Sequence, residues 1–188
     1  MFIQTETTPN PITLKFLPGQ SVLETGTADF PGPEAAGTSP LAMRLFAIDG
    51  VRGVFLGHDF ITVTKDDSLA WEHLKPAVMG AIMDHLQSGE PALEAGSTAE
   101  SGHADHDEGP DSEIVIRIKE LLDTRVRPAV AQDGGDITFY GFDRGIVYLH
   151  MQGACAGCPS STLTLKMGIE NLLRHYIPDV IEVRPIAA

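Results

Sequence analysis

Both cysteines of this 188-residue chain lie in one short motif. The motif, GACAGCP at residues 153–159, places two residues between Cys155 and Cys158. Thiolates at this spacing bind metal ions or clusters, or they form a redox-active disulfide. Two cysteines are too few for the disulfide framework of a small secreted protein. The chemistry of this chain is therefore predicted to be that of two thiolates.

The elements on either side of the motif determine how the two sulfurs are presented. Residues 137–140 and 146–149 are predicted to form a β-hairpin before the motif. Pro159 suits the first turn of an amphipathic helix after it. The apolar face of that helix consists of Leu165, Ile169, Leu172, Leu173 and Tyr176. Because a helix N-terminus stabilises anions, we expect the pKa of the thiols to be lowered there.

The first of three chemical interpretations is a dithiol–disulfide redox pair. A CxxC motif at a helix start is the arrangement of thioredoxin. In thioredoxin, however, the motif follows a strand of a parallel βαβ unit, often with a Trp beside it. In this sequence the motif follows a predicted hairpin, and no Trp is adjacent.

The second interpretation is a zinc site, which needs four ligands in a closed arrangement. One chain offers two cysteines, and His150 is the histidine nearest to them in sequence. His150 alternates with Tyr148 along a predicted strand, so an ordinary strand residue is the simpler interpretation of it.

The third interpretation is an iron–sulfur cluster, which four thiolates usually hold. Cys155 and Cys158 of two chains related by two-fold symmetry would supply those four ligands. The missing ligands thus predict a homodimer with the cluster at its interface, an exposed site suited to a cluster that is handed on. The residues alone leave the iron–sulfur and redox interpretations close together.

The charge of the chain limits its partners. It has 13 basic and 26 acidic residues, a formal net charge of −13. This balance argues against a nucleic-acid partner, because neutralising phosphates requires clustered Lys and Arg. No run of about 18 apolar residues is present, so we expect no membrane-spanning segment.

Charge and composition also divide the chain. Residues 89–112 include seven acidic and no basic residues and are rich in Gly, Ala and Ser, which favours a flexible, self-repelling linker. The predicted organisation is α+β: an N-terminal domain at residues 1–88, the linker at 89–112, and a C-terminal domain at 113–188 that carries the motif.

Local patterns predict the elements of the two domains. In the first, a short helix begins at the N-cap Ser39, a hairpin spans residues 51–63, a helix spans 71–86, and the Gly- and Pro-rich range 26–38 is a loop. In the second, Ser112 is the expected N-cap of a helix over residues 113–131, with a kink or restart at Arg127-Pro128.

Longer motifs in this sequence resemble those of NifU-like (Nfu-type) iron–sulfur scaffold or carrier proteins. In the C-terminal half they are Arg127-Pro128, Asp133-Gly134-Gly135-Asp136, residues 153–161, Thr164-Leu165-Lys166 and Gly168-Ile169-Glu170. In the N-terminal half they include Thr8-Pro9-Asn10-Pro11, Ser39-Pro40-Leu41-Ala42, residues 57–65, Trp71 and Leu74-Lys75-Pro76. The resemblance covers nearly the whole chain apart from the linker.

The resemblance implies a non-enzymatic carrier of a 4Fe-4S cluster that two subunits bridge. Cys155 and Cys158 match the cluster ligands of the family. The implied partners are a second copy of the chain, upstream cluster-assembly proteins and apo iron–sulfur clients. The alternative is a CxxC thiol-disulfide oxidoreductase, and the sequence does not distinguish a 4Fe-4S from a 2Fe-2S cluster.

The N-terminus bears on the expected compartment. Residues 1–6 form neither a secretory signal, with its basic and apolar regions, nor an Arg-rich transit segment. We therefore expect a bacterial cytoplasmic protein, or one of the mitochondrial matrix if the chain is a mature eukaryotic form.

Overall fold

The chain divides into two compact units, each of which is described by itself. The structure, a computed structural model, describes residues 2–97, 109–156 and 159–186. Unit 1 comprises Met1–Ser101, and unit 2 comprises Gly102–Ala188. The boundary falls within the range 89–112, whose part at 98–108 lies outside the described residues.

Unit 1 contains a five-stranded antiparallel sheet in the order β1-β2-β5-β4-β3. The central strand is β5, where Val63 pairs with Leu14 on one side and Val54 on the other. All three side chains are buried, so the middle of the sheet carries much of the core. The strands are β1 (Gln4–Thr7), β2 (Thr13–Leu17), β3 (Ala28–Phe30), β4 (Val51–Leu56) and β5 (Ile61–Lys65).

Two helices complete unit 1, α1 (Pro40–Phe46) and α2 (Trp71–Ser88). The predicted N-cap of α1 is confirmed, because the Ala42 N–H donates to the Ser39 hydroxyl at 3.0 Å. Helix α2 buries Leu74, Val78 and Ile82 in the core. Their four-residue spacing is the pattern from which the helix was predicted.

The range 26–38 contains regular structure where the sequence predicts a loop. Ala28 and Phe30 of β3 pair with Leu56 and Val54 of β4, and both side chains are buried. A 3-10 helix then runs over Pro33–Thr38. The loop prediction is wrong because pairing with a distant strand holds this segment, and local Gly and Pro content does not reveal such pairing.

Residues 90–94 pack on the core of unit 1, although the sequence predicts them to lie in the flexible linker. Ala92 is buried, and its carbonyl accepts a hydrogen bond from the Ser39 hydroxyl. Nearby, the Glu94 N–H donates to the Thr38 carbonyl at 2.8 Å, and Arg44 pairs with Glu90 at 2.8 Å. These contacts attach the start of the acidic segment to the N-terminal core.

Unit 2 contains a mixed three-stranded sheet in the order β6-β7-β8, with β6 (Gly135–Asp143), β7 (Ile146–Gly153) and β8 (Glu182–Ile186). Strands β6 and β7 form the predicted antiparallel hairpin. Strand β8, which was not predicted, runs parallel to β7. The crossover between β7 and β8 is helix α5 (Pro159–Tyr176), so the motif lies in a βαβ unit.

A continuous helical segment precedes the sheet of unit 2. It consists of α3 (Ser112–Leu121), a π-helical turn (Leu122–Val126) and α4 (Arg127–Gln132). The change in helix type lies just before Pro128, where the sequence predicts a kink or restart, because proline cannot donate a backbone hydrogen bond. The expected cap differs: Asp111 occupies the N-cap position of α3, and Ser112 is its first helical residue.

Each unit has its own hydrophobic core, and the predicted α+β class is confirmed. In unit 2, Val147 and Leu149 of β7 pack with Ile169 and Leu173 of α5 and with Ile118 of α3. None of the helices among the described residues is both long and apolar enough to cross a membrane.

Candidate metal centre

Cys155 lies in the turn that links β7 to α5. Its backbone neighbour Ala154 donates its N–H to the Gly134 carbonyl at 3.2 Å, which ties this turn to the start of β6. The carbonyl of Cys155 accepts a hydrogen bond from the Thr162 hydroxyl at 3.2 Å, which ties the same turn to α5. The backbone around Cys155 is thus held by contacts with the start of β6 and with α5.

Cys158, the second predicted ligand, lies outside the described residues. It comes directly before Pro159, the first residue of α5. The role of Cys158 as a ligand therefore stays a prediction. Cys155 is the predicted ligand whose surroundings the structure defines.

A glycine makes room for the Cys155 sulfur. Gly135 pairs with Gly153 at the end of the β6–β7 hairpin. A Cβ atom at Gly135 would stand 2.4 Å from the Cys155 Sγ and 2.8 Å from the Gln152 carbonyl oxygen. Real Cβ contacts are essentially never so short, so any larger residue would displace the thiol or the strand. Gly135 thus makes room for this sulfur, an arrangement called here the Gly135 cradle.

An ion pair holds the turn that carries this glycine. The guanidinium of Arg127 donates to both carboxylate oxygens of Asp136, at 2.9 Å each, and to Asp123 at 3.0 Å. Asp136 is buried, and it also accepts the Ile137 N–H at 2.8 Å. The hydrogen bonds to Asp136 raise the pKa of Arg127 above its ordinary value. Arg127 therefore joins α4 to the strand that begins at Gly135.

The Cys155 thiol is stabilised in its protonated form. Cys155 is 6% exposed. Burial raises the pKa of its thiol to about 12, and the negative charges of Asp133 and Asp136 act in the same direction. The predicted lowering is wrong for Cys155, because this residue lies four positions before the first residue of α5. At that place the loss of hydration and the two carboxylates outweigh the helix dipole.

These surroundings bear on the redox interpretation. The expectation that the motif lacks the parallel βαβ context of thioredoxin is wrong, since β7, α5 and β8 form such a unit. The raised pKa of Cys155 argues against the redox interpretation, because a reactive CxxC depends on an exposed first cysteine with a lowered pKa. Cys155 is buried with a raised pKa, so it is a poor nucleophile in the absence of a bound metal.

His150, considered as a zinc ligand, lies in the middle of β7. It pairs with Thr138 of β6 and with Ile186 of β8. Its Nδ1 lies 3.5 Å from the Gln152 side-chain nitrogen, and its buried Nε2 has no hydrogen-bond partner among the described residues. In the described part of the chain, no three His, Cys, Asp or Glu side chains are placed to share a metal ion.

The comparison with known proteins identifies the family. Residues 3–89 match the family described as "Scaffold protein Nfu/NifU N terminal", and residues 118–184 match the "NifU-like domain". The chain belongs to the Nfu/NifU family of scaffold proteins. Both parts of the resemblance, N-terminal and C-terminal, are thereby confirmed, and so is the expectation of a scaffold rather than an enzyme.

Several relatives of this Nfu/NifU chain carry informative names. The human protein named "NFU1 iron-sulfur cluster scaffold homolog, mitochondrial" is 54% identical over 187 residues, covering 99% of this chain and 72% of its own length. The Arabidopsis thaliana protein named "NifU-like protein 5, mitochondrial" is 56% identical, covering 96% of this chain and 66% of its own. The chain thus spans about two thirds of the length of these relatives, both of which are named as mitochondrial.

A solved structure is also similar to part of this Nfu/NifU chain. The solution structure of a NifU-like protein from Saccharomyces cerevisiae is 27% identical and has a TM-score of 0.46. The matched region covers 50% of this chain and 86% of the yeast chain.

Two features of the site had no assigned role at the sequence level. These are the ion pair between Arg127 and Asp136 and the close approach of Gly135 to the Cys155 sulfur. The available signal was the Gly-Gly pair between two aspartates, since adjacent glycines indicate a turn or a close approach of another chain segment. The partner of that close approach, Cys155, is 20 residues away in sequence and becomes evident only in the fold.

Proposed function

We propose that this protein holds a 4Fe-4S cluster between two copies of itself and passes the cluster to apo iron–sulfur proteins. The ligands are Cys155 and Cys158 of each copy, four thiolates in all. The cluster is the cargo of the protein. The observation that carries the proposal is the close approach of Gly135 to the Cys155 sulfur, where the lack of a Cβ atom leaves room for the thiol.

The chain's own residues hold the first ligand in place. The Ala154–Gly134 and Thr162–Cys155 hydrogen bonds fix the backbone on both sides of the sulfur. The Arg127–Asp136 pair fixes the turn that forms the cradle. A pre-arranged thiol loses little freedom when it becomes a ligand, which favours capture of the cluster.

The cluster can be delivered because the cluster itself holds the two copies together. A cluster bound only by half-sites links the two copies, so its removal by a client leaves two chains with few shared contacts. The proposed partners are upstream assembly proteins that load the site and apo clients that unload it. The compartment must keep thiols reduced, as do the mitochondrial matrix, for which both relatives are named, and the bacterial cytoplasm.

Anaerobic reconstitution with iron and sulfide tests the ligand set. The wild-type chain should bind about two iron and two sulfide per chain, half of a 4Fe-4S cluster. Cys155→Ser and Cys158→Ser should each abolish retention of the cluster, because each removes two of the four ligands of a dimer. Ala156→Ser is the matched control: it adds the same hydroxyl between the cysteines and should retain the wild-type iron content.

Two results would contradict this function. One is a cysteine variant that keeps the full iron and sulfide content of the wild type. The other is a wild-type chain that binds no iron yet reduces disulfides, which would favour the CxxC oxidoreductase instead.

A further inference from the structure

Helix α5 has one face in the core and another that the described residues leave exposed. Ile169 and Leu173 point into the core of unit 2. On the opposite side, successive turns present positions that are all exposed and uncharged. We call these five the outer face of α5: Leu163, Thr164, Met167, Gly168 and Asn171.

Two large apolar side chains dominate the outer face. Leu163 and Met167 are each 57% exposed, and their four-residue spacing makes them neighbours on the helix surface. Single exposed apolar residues are ordinary, but adjacent ones in a chain of net charge −13 indicate a contact surface. The next turn of the helix carries charged side chains, with a nitrogen of Arg174 lying 3.8 Å from a carboxylate oxygen of Glu170.

Gly168 adds an independent observation. It lies inside the 18-residue helix α5, where glycine is a poor helix former. A Cβ atom at Gly168 would meet nothing within 4 Å, so packing within the described chain does not require a small residue there. A glycine in this position allows close approach of a second body to the helix backbone.

We propose that the outer face of α5 is the protein surface through which two copies of this chain meet around the shared cluster. The inference rests on the proposed function, since that function requires a second copy at Cys155 and Cys158. Helix α5 begins directly after Cys158, and Leu163 and Met167 lie only about 6 and 12 Å along it from Pro159. A two-fold axis through the cluster therefore brings the first turns of both α5 helices together.

Charge favours a second copy as the occupant. In a two-fold interface the same patch faces itself, so every charge near the axis meets its own sign. Residues 113–188, which carry the site, hold eight basic and nine acidic residues, so two copies of this part repel only weakly, and the uncharged outer face adds nothing to that repulsion. Leu163 and Met167 of one copy would bury against the same residues of the other.

A charge placed on the outer face tests this surface. In the reconstituted full-length protein, Leu163→Glu and Met167→Glu should each raise the dissociation constant of the cluster-loaded dimer by at least about tenfold. Ile116→Glu is the matched control, because Ile116 is an exposed (53%) apolar residue on α3 of the same unit. It adds the same charge and should change the constant by less than about twofold. Sedimentation velocity over a concentration series measures all four proteins.

Gly168→Gln separates loss of the interface from loss of folding. Glutamine is a better helix former than glycine and has open space at this position. The variant should therefore raise the thermal unfolding midpoint of the apo chain and at the same time weaken the loaded dimer. A variant that raises the midpoint but leaves the dimer as tight as the wild type would overturn the inference.

The possible results distinguish failure of this inference from failure of the proposed function. If the wild type binds no cluster, or binds it as a monomer, the proposed function fails. If the wild type forms a loaded dimer and the Leu163 and Met167 variants dimerise equally well, only the outer-face inference fails. If those variants dimerise normally but lose cluster transfer to an apo acceptor, the face belongs to a client, which also overturns the inference.

Discussion

At the scale of single residues, the site depends on what surrounds Cys155. The sequence predicts a lowered pKa for this thiol, and the structure shows that the pKa is raised. The dipole of α5 acts at the first turn of that helix, whereas the negative charges of Asp133 and Asp136 reach the thiol only through the fold. Burial of the turn, a property of tertiary packing, decides the protonation state.

Gly135→Ala tests the cradle. The added methyl group would overlap the Cys155 sulfur, so we expect a loss of stability of about 1–3 kcal/mol and reduced cluster retention. Gly141→Ala is the matched control on the same strand, because a Cβ there meets nothing within 4 Å. Thermal unfolding and the iron content after reconstitution measure both effects. A Gly135 variant as stable and as well loaded as the Gly141 variant would show that the cradle has no role.

At the scale of elements, the features held by contacts between residues close in sequence were predictable, and those held by contacts between distant residues were not. The cap at Ser39 and the spacing of Leu74, Val78 and Ile82 are local signals, and the structure confirms both. Strands β3 and β8 are short and pair with strands distant in sequence, so no local pattern indicated them. The packing of Ala92 on unit 1 was missed for the same reason, since a small residue in an acidic segment gives no periodic signal.

Helix α2 carries a buried histidine that we expect to make unit 1 less stable in acid. His85 is 1% exposed, and neither ring nitrogen has a hydrogen-bond partner among the described residues. Burial and the positive charge of Arg44 lower the pKa of His85, while Glu90 opposes the shift. The unfolded chain then binds a proton more readily than the folded one, so stability should fall as the pH drops below about 6.5.

Replacing His85 tests this acid sensitivity. Chemical denaturation at a series of pH values from 7.5 to 5 (about the range in which a histidine titrates) should show a smaller loss of stability for His85→Gln than for the wild type. His73→Gln removes an exposed histidine of the same helix and should keep the wild-type pH dependence. Equal pH profiles for the two variants would exclude His85 as the source.

At the scale of the whole molecule, the distribution of charge and of cysteines matters more than their totals. Residues 89–112 carry seven acidic residues and no basic ones, so the net charge of −13 says little about the site itself. Two cysteines are half of what an iron–sulfur cluster usually needs. The central claim is therefore that a second copy completes the site and that the cluster couples binding to dimerisation.

Native mass spectrometry of the full-length protein tests that claim most directly, with the apo and the anaerobically reconstituted forms compared at equal concentration. The cluster should appear only on a species of two chains, with about four iron and four sulfide atoms, and the apo protein should be largely a single chain. A cluster retained by a single chain, or an apo dimer as tight as the loaded one, would contradict it.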